Sequence, residues 1–389
     1  INMIYIFEDQ FTLDLEPIVF TRPSFGIRSG PETFYEQLIQ LIDGPVSGIV
    51  RKDIELIVQN NYPTMSVNPS SFGDGIWLLG CTYWTSETIQ LIHDSPNTVF
   101  KSKGRTVGAN ITGFQAKEWI EKGGPLNNDI QGLNEKNINV YSVRFLWDII
   151  RHIPKSISSA IDTISIGSTE NDDTYIHPTS IIHDQVILNS KLGPIIIDEN
   201  VEIHPFTLLE GPLYLGKGTI VKPHSHIKES IFGPQCKLGG EIHSCIFQSY
   251  SNKVHDGHLG DSFIGEWVNL GAGTTNSNLK NDYSNVVIDV NGAKRDSGGL
   301  FLGSLIGDHT KTAIGTQLNT GTVIGTGCNI LAHSFPMKNI KPFTFYLNGK
   351  KRKMNWDSFI ESTSIVKSRR NQFLTPVEMD VLERIYNKQ

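Results

Sequence analysis

"IDENVEIHPFTLLEGPLYLGKGTIVKPHSHI" runs from Ile197 to Ile227, and its reading decides the fold. An aliphatic side chain recurs at every sixth position: Ile197, Ile203, Leu209, Leu215, Val221 and Ile227. Four residues after each stands a small, β-branched or aliphatic residue: Val201, Thr207, Leu213, Thr219, Ser225 and Ile231. This period is neither the ~3.6 of a helix nor the ~2 of a strand. It fits a chain that turns a corner every ~6 residues, so that each aliphatic stacks on its counterpart one coil below, the hexapeptide pattern of a parallel β-helix.

The register returns as Ile306, Thr312, Leu318, Ile324 and Ile330. Aliphatic-glycine pairs punctuate it, among them Leu215-Gly216, Ile264-Gly265, Leu270-Gly271, Ile306-Gly307 and Ile324-Gly325. Glycine and small polar residues suit tight corners, where bulk or a negative φ clashes. Between the two runs lies "HDGHLGDSFIGEWVNLGAGTTNSN", His255–Asn278, which carries the register through Ile264 and Leu270. Leu279–Leu300 breaks the repeat and is expected to leave one face of the prism.

Residues 3–165 alternate strand and helix patterns. "MIYIF" (Met3–Phe7) and "GIWLLG" (Gly75–Gly80) read as buried strands. "PETFYEQLIQLI", "TSETIQLIH" and "VRFLWDIIRHI" read as helices. The alternation predicts an α/β domain with a mainly parallel sheet. The polar, breaker-rich stretch Ser165–Pro178 is the expected junction to a β-helix over 170–340. Residues 341–389 are expected to be helical. "NWDSFIESTSIVKSRRNQF" reads as one helix. The next has Thr375 as N-cap, Pro376 at its first position, Glu378 as capping-box partner, and an apolar stripe of Val377, Met379, Leu382 and Ile385. These helices are expected on the last coil or on a neighbouring subunit. Ile1 and Asn2 precede Met3 and are left out of the fold reading.

The chain has 389 residues, 38% hydrophobic and 19% charged, with a formal net charge of -6. That charge gives no footing for nucleic acid or an anionic membrane as partner. No run is apolar enough for a membrane span, and no secretory leader is visible. Cys81, Cys236, Cys245 and Cys328 form no CxxC pair and read as reduced core residues of a cytoplasmic protein.

The His255–Asn278 stretch resembles the bifunctional N-acetylglucosamine-1-phosphate uridyltransferase/glucosamine-1-phosphate acetyltransferases. The residues that carry the likeness are His255, Gly260-Asp261, Ile264-Gly265, Val268–Thr274 and Asn278. The resemblance implies a nucleotidyltransferase-like (Rossmann-like) domain, a left-handed β-helix of the hexapeptide acyltransferase type and C-terminal helices. It implies acetyl-coenzyme A as co-substrate, a sugar phosphate or nucleotide-sugar as acceptor, and a homotrimer with sites between subunits. His255 falls on the catalytic base, which suits a reaction in which an attacking amine or hydroxyl must lose a proton. Asn269, Asn278, Lys228, His258 and His243 fall on acceptor-side positions. Gly271, Ala272 and Gly273, with Lys311, Thr312 and Ala313 of "IGDHTKTAIGTQL", fall on the coenzyme side. The amides of Gly271 and Gly273 are expected as oxyanion donors.

The sequence departs from the family in both halves. His258 stands for a tyrosine, Leu279 for another, His243 for a lysine and Lys228 for a phosphate-binding arginine. In the N-terminal domain "EDQFTLDLEP" replaces the glycine-rich phosphate loop. Ser24 stands where a lysine is expected, and Cys81 where the carboxylate that binds magnesium is expected. Arg22 and Arg28 are the candidate phosphate ligands there. Magnesium enters only if nucleotidyl transfer survives, through Glu8 and Asp9. The alternatives to acyl transfer are therefore sugar-1-phosphate nucleotidyl transfer, a non-catalytic sugar-nucleotide-binding protein, and zinc held by His243, His255 and His258.

Overall fold

A computed structural model describes residues 3–162, 169–171 and 173–389. Ile1, Asn2 and part of the Ser165–Pro178 junction lie outside them. The N-terminal domain is built on a seven-stranded sheet. Its strand order is Ser66–Val67, Val46–Ile49, Met3–Phe7, Gly75–Leu79, Arg105–Ile111, Thr98–Ser102, Asn134–Asn137. Pairing is parallel up to Gly75–Leu79 and antiparallel on both sides of Arg105–Ile111. The helices Phe34–Ile39 and Ser86–His93 begin at capping boxes on Thr33 and Thr85. The last predicted helix is two, Leu146–Arg151 and Ile153–Ala160. The expected phosphate loop is replaced by 3-10 turns at Thr12–Leu15, Ile18–Thr21 and Ser24–Gly26.

The remainder is a left-handed parallel β-helix of three stacked faces. Ile197, Leu215, Phe232, Phe247, Ile264, Ile306 and Ile324 form one inward column by parallel register. All are fully buried. The six-residue period holds through Ile227, then a coil shortens. Ser230, not Ile231, pairs with Leu213, and Ile231 faces outward with Tyr214 and Ile246.

That outward position matters. Ile196, Tyr214, Ile231, Ile246, Phe263, Leu305 and Val323 form an apolar stripe on one face, continuous with the core of the N-terminal domain and its helices Leu146–Arg151 and Ile153–Ala160. The β-helix is therefore docked broadside onto the α/β domain. The excursion forms an antiparallel hairpin, Val287–Val290 with Ala293–Asp296, and it too turns to that domain. The Asn291 amide at its tip donates to Glu16 at 2.6 Å, and Val286, Ile288 and Val290 are buried in the shared core.

The C-terminal helices Trp356–Ser368 and Pro376–Asn387 pack on the last coil through Phe343, Phe359 and Leu382, then run back along the solenoid. Arg370 donates to the Gln235 carbonyl and to Asn252 Oδ1. Lys388 reaches Asp53 of the first domain. Thr375, Pro376 and Glu378 form the expected cap. Val381 and Leu382 are the buried pair of that helix, whereas Met379 of the expected stripe is exposed.

Candidate functional site

His255 occupies an outer corner of the β-helix, just after the strand Asn252–Lys253. It is exposed, and its ring makes no hydrogen bond among the described residues. By register it stacks one coil below Ala272 and two below Ile314. The other candidates lie on the two faces that meet at this corner. On one, Lys228 and His243 are register neighbours, as are Glu241 and His258. His243 Nε2 lies 3.5 Å from Glu229 and His258 Nδ1 3.5 Å from Glu241. Asn278 donates to Asp261 at 2.6 Å. Burial pushes the Asp261 carboxyl up, against the pull of Asn278 and His243. This face therefore offers imidazoles and carboxylates where the resembled family has a lysine and tyrosines.

On the second face, exposed Asn269 and half-buried Lys311 line a cavity of about 330 Å³ under the helix Trp356–Ser368. Lys237, Arg369 and Arg370 line it as well. Four cations around a cleft beside Trp267 suit a phosphate-bearing ligand. Arg369 and Arg370 were missed by sequence reading because nothing in a helical "KSRR" says which solenoid face it covers.

The corner chemistry needs two corrections. The Gly271 amide donates to Thr312 and the Gly273 amide to the Asp256 carbonyl at 3.1 Å, so neither is available as an oxyanion donor. Between them, the Ala272 amide donates to no acceptor among the described residues. Thr312 points inward, its Oγ1 2.8 Å from that of Thr274, so that coil presents only backbone at this position. The adjoining Ala313 amide is bound to the Ile330 carbonyl.

Beneath the corner lies a group the pattern did not flag. Lys253 takes an inward position in the column between Leu238 and the next coil, 2% exposed. Its ammonium donates to the Gly239 carbonyl at 2.8 Å and to the His255 carbonyl at 2.9 Å. Burial pushes its pKa down to about 8. Unfolded lysine titrates near ~10.4, so between these values the unfolded chain holds more protons and stability rises with pH. The cost of the buried charge, about 3 kcal/mol, is fully present below pH ~8 and is relieved towards pH ~10.5. Lys253→Met has no such dependence. The stability difference between wild type and Lys253→Met, followed by denaturant unfolding, is expected to shift in favour of wild type by that amount from pH 7.5 to 10.5. Parallel curves would refute the buried ammonium.

In the N-terminal domain the candidate ligands are consumed by the chain itself. Arg22 grips Asp308 of the β-helix with both terminal nitrogens, at 3.2 and 2.7 Å, and Arg28 binds the Gln248 carbonyl at 2.9 Å. They join domains and do not face a free phosphate. Glu8 accepts from the Ser24 and Arg51 amides, and Asp9 is held by Arg105 at 2.7 and 2.9 Å. Ser24 and Cys81 are wholly buried, and burial raises the Cys81 thiol to about 11. With both carboxylates committed and a thiol in the third position, these residues do not fit magnesium.

Residues 4–169 match the family model described as sugar nucleotidyl transferase. The chain is 37% identical over 141 residues to a bifunctional sugar-1-phosphate nucleotidylyltransferase/acetyltransferase of Sulfurisphaera tokodaii, 36% of this chain and 35% of that protein. It is 29% identical over 270 residues to the bifunctional protein GlmU of Methanocaldococcus jannaschii, 61% of this chain and 63% of that protein. A solved Francisella novicida UDP-N-acetylglucosamine acyltransferase overlays at a TM-score of 0.31 with 13% identity, covering 56% of this chain and 78% of that one. The alignments span about a third and two-fifths of the first two curated relatives. Residues 4–169 are thus similar to the sugar nucleotidyl transferase family, and the chain is similar in sequence to bifunctional nucleotidylyltransferase/acetyltransferase proteins.

Proposed function

We infer that this chain transfers an acyl group, acetyl in the simplest case, from acyl-coenzyme A to an amine or hydroxyl of a sugar phosphate or nucleotide-sugar. The observation that carries the reading is the corner itself: an exposed, unbonded His255 imidazole one coil from the undonated Ala272 amide, between a cationic cleft and a polar face. The neutral imidazole takes the proton as the acceptor attacks the thioester carbonyl, and the Ala272 amide is placed to stabilise the oxyanion. The bond from acceptor to carbonyl carbon forms, the carbon–sulfur bond breaks, and the proton on His255 passes to the leaving thiolate. Lys237, Lys311 and Arg369 hold the coenzyme phosphates, with Arg370, bonded to Gln235 and Asn252, adding its charge to the cleft, while His243, His258, Lys228 and Asn278 face the acceptor.

The working assembly in this reading is a homotrimer, in which a neighbouring solenoid closes over the exposed corner. Nucleotidyl transfer is left out of the reading, because Arg22, Arg28, Glu8 and Asp9 are bonded within the chain.

Calorimetric titration with acetyl-coenzyme A tests the reading without knowledge of the acceptor. Saturable binding near one equivalent per chain is expected, retained in His255→Ala and weakened in Lys311→Ala. No binding at millimolar ligand would overturn it.

A further inference from the structure

We propose that His183, Glu202 and His204 form a binding site for a divalent transition-metal ion on the first coils of the β-helix. The site is separate from the His255 corner and does not depend on acyl transfer.

Its geometry follows from the register. Ile181 pairs with Glu202 and Ile182 with Ile203, which sets His183 beside His204 one coil on. Ile203 is fully buried, so the alternation of the strand turns its two neighbours, Glu202 and His204, outward together. The imidazoles of successive coils stack with centroids 5.1 Å apart and ring planes inclined by 14°. Glu202 Oε1 lies 3.0 Å from His183 Nε2 and 3.5 Å from His204 Nε2. The three ligand atoms all lie within 4.8 Å of one another. Ligands held at ~2.0–2.1 Å around a tetrahedral ion stand a little over ~3 Å apart, so the measured separations need only small rotamer adjustments.

Two imidazoles and one carboxylate favour zinc, nickel or cobalt over magnesium or calcium, which take oxygen. The fourth position faces solvent, because these side chains are 26–39% exposed. Among the described residues the strand Ile181–Ile182 ends its sheet. An ion held there ties the terminal coil to its neighbour.

The test uses the full chain stripped with a chelator. Cobalt(II) is titrated while its visible spectrum is followed, and zinc is titrated in a calorimeter. One tight equivalent per chain is expected, with a rise in melting temperature, since binding to the folded state alone stabilises it. His183→Ala, His204→Ala and Glu202→Gln should each weaken binding by about tenfold or more, the loss seen even for outer partners of a metal site. His224→Ala, whose ring stacks on Phe206, should not. Metal-free melting of each variant reports whether it folds, and the shape-conserving Glu202→Gln keeps the test decisive. Wild-type binding no tighter than that of the three variants, or loss of the site in His224→Ala alone, would overturn the proposal.

Discussion

Arg22→Ala is expected to destabilise the protein by about 3–5 kcal/mol, because it strands a buried carboxylate. Asp308 is 3% exposed and Arg22 8%. Besides its two bonds to Arg22, the Asp308 carboxylate accepts from Thr21 Oγ1 and from the Glu266 amide at 2.8 Å. Arg22 Nη2 also lies 3.3 Å from Glu266. Burial alone would raise the Asp308 carboxyl, but the Arg22 charge beside it outweighs that and holds it below the usual carboxylate range. A depressed folded pKa contributes stability above the unfolded value, near ~3.9, that is lost as pH falls through the folded one. Wild type should therefore lose this increment below about pH 4, and Arg22→Ala should lack it at neutral pH. The melting temperature of Arg22→Ala should fall by roughly 5–10 °C. The double variant Arg22→Met/Asp308→Leu should recover much of the loss, because it removes the stranded charge. A single-variant loss below about 1 kcal/mol would mean that solvent enters this seam and the pair is a surface pair.

The same pair marks where sequence reading ended. The inward column was legible because a buried aliphatic must repeat with the coil, and Ile197 through Ile227 do so without a slip. The outward column beside it, from Ile196 to Val323, was in the sequence too, one residue before each inward position. It was not read because an apolar outward residue has meaning only once its partner surface is known. Arg22 and Arg28 looked like phosphate ligands because a buried arginine and a ligand arginine are the same letter. Arg22 and its partner stand 286 residues apart. Glycine does not stand for backbone freedom everywhere: Gly265 follows Ile264 because a Cβ there would meet Asp308 Oδ1 at 2.3 Å. Positive φ falls on other corner glycines, such as Gly218, Gly273, Gly315 and Gly327, and also on Asp261, Trp267 and His309. Close approach of coils, more than turn conformation, selects Gly265. Of the candidate site, the motif placed His255 on its corner. It could not show that the Gly271 and Gly273 amides are already donated, because their acceptors, on the neighbouring coils, are fixed only by stacking.

His255→Ala should lower kcat for acetyl transfer by about 10²–10⁴-fold, the contribution typical of a positioned general base. The His255 ring has no hydrogen-bond partner among the described residues and no packing role, being exposed. Truncation at such a site changes stability by no more than about 0.5 kcal/mol. A large loss of turnover cannot then be ascribed to unfolding, and acetyl-coenzyme A affinity should stay within twofold or so of wild type. His258→Ala is the control on the neighbouring strand. Its ring is already engaged by Glu241, and its loss should raise the acceptor KM more than it lowers kcat. The assay needs an acceptor, found by offering acetyl-coenzyme A with amino-sugar phosphates and nucleotide-linked amino sugars and following free thiol. If His255→Ala turns over like wild type while binding the coenzyme equally, the corner is not the catalytic centre. The unbonded Ala272 amide and the cationic cleft would then describe a coenzyme-binding surface with no base of its own.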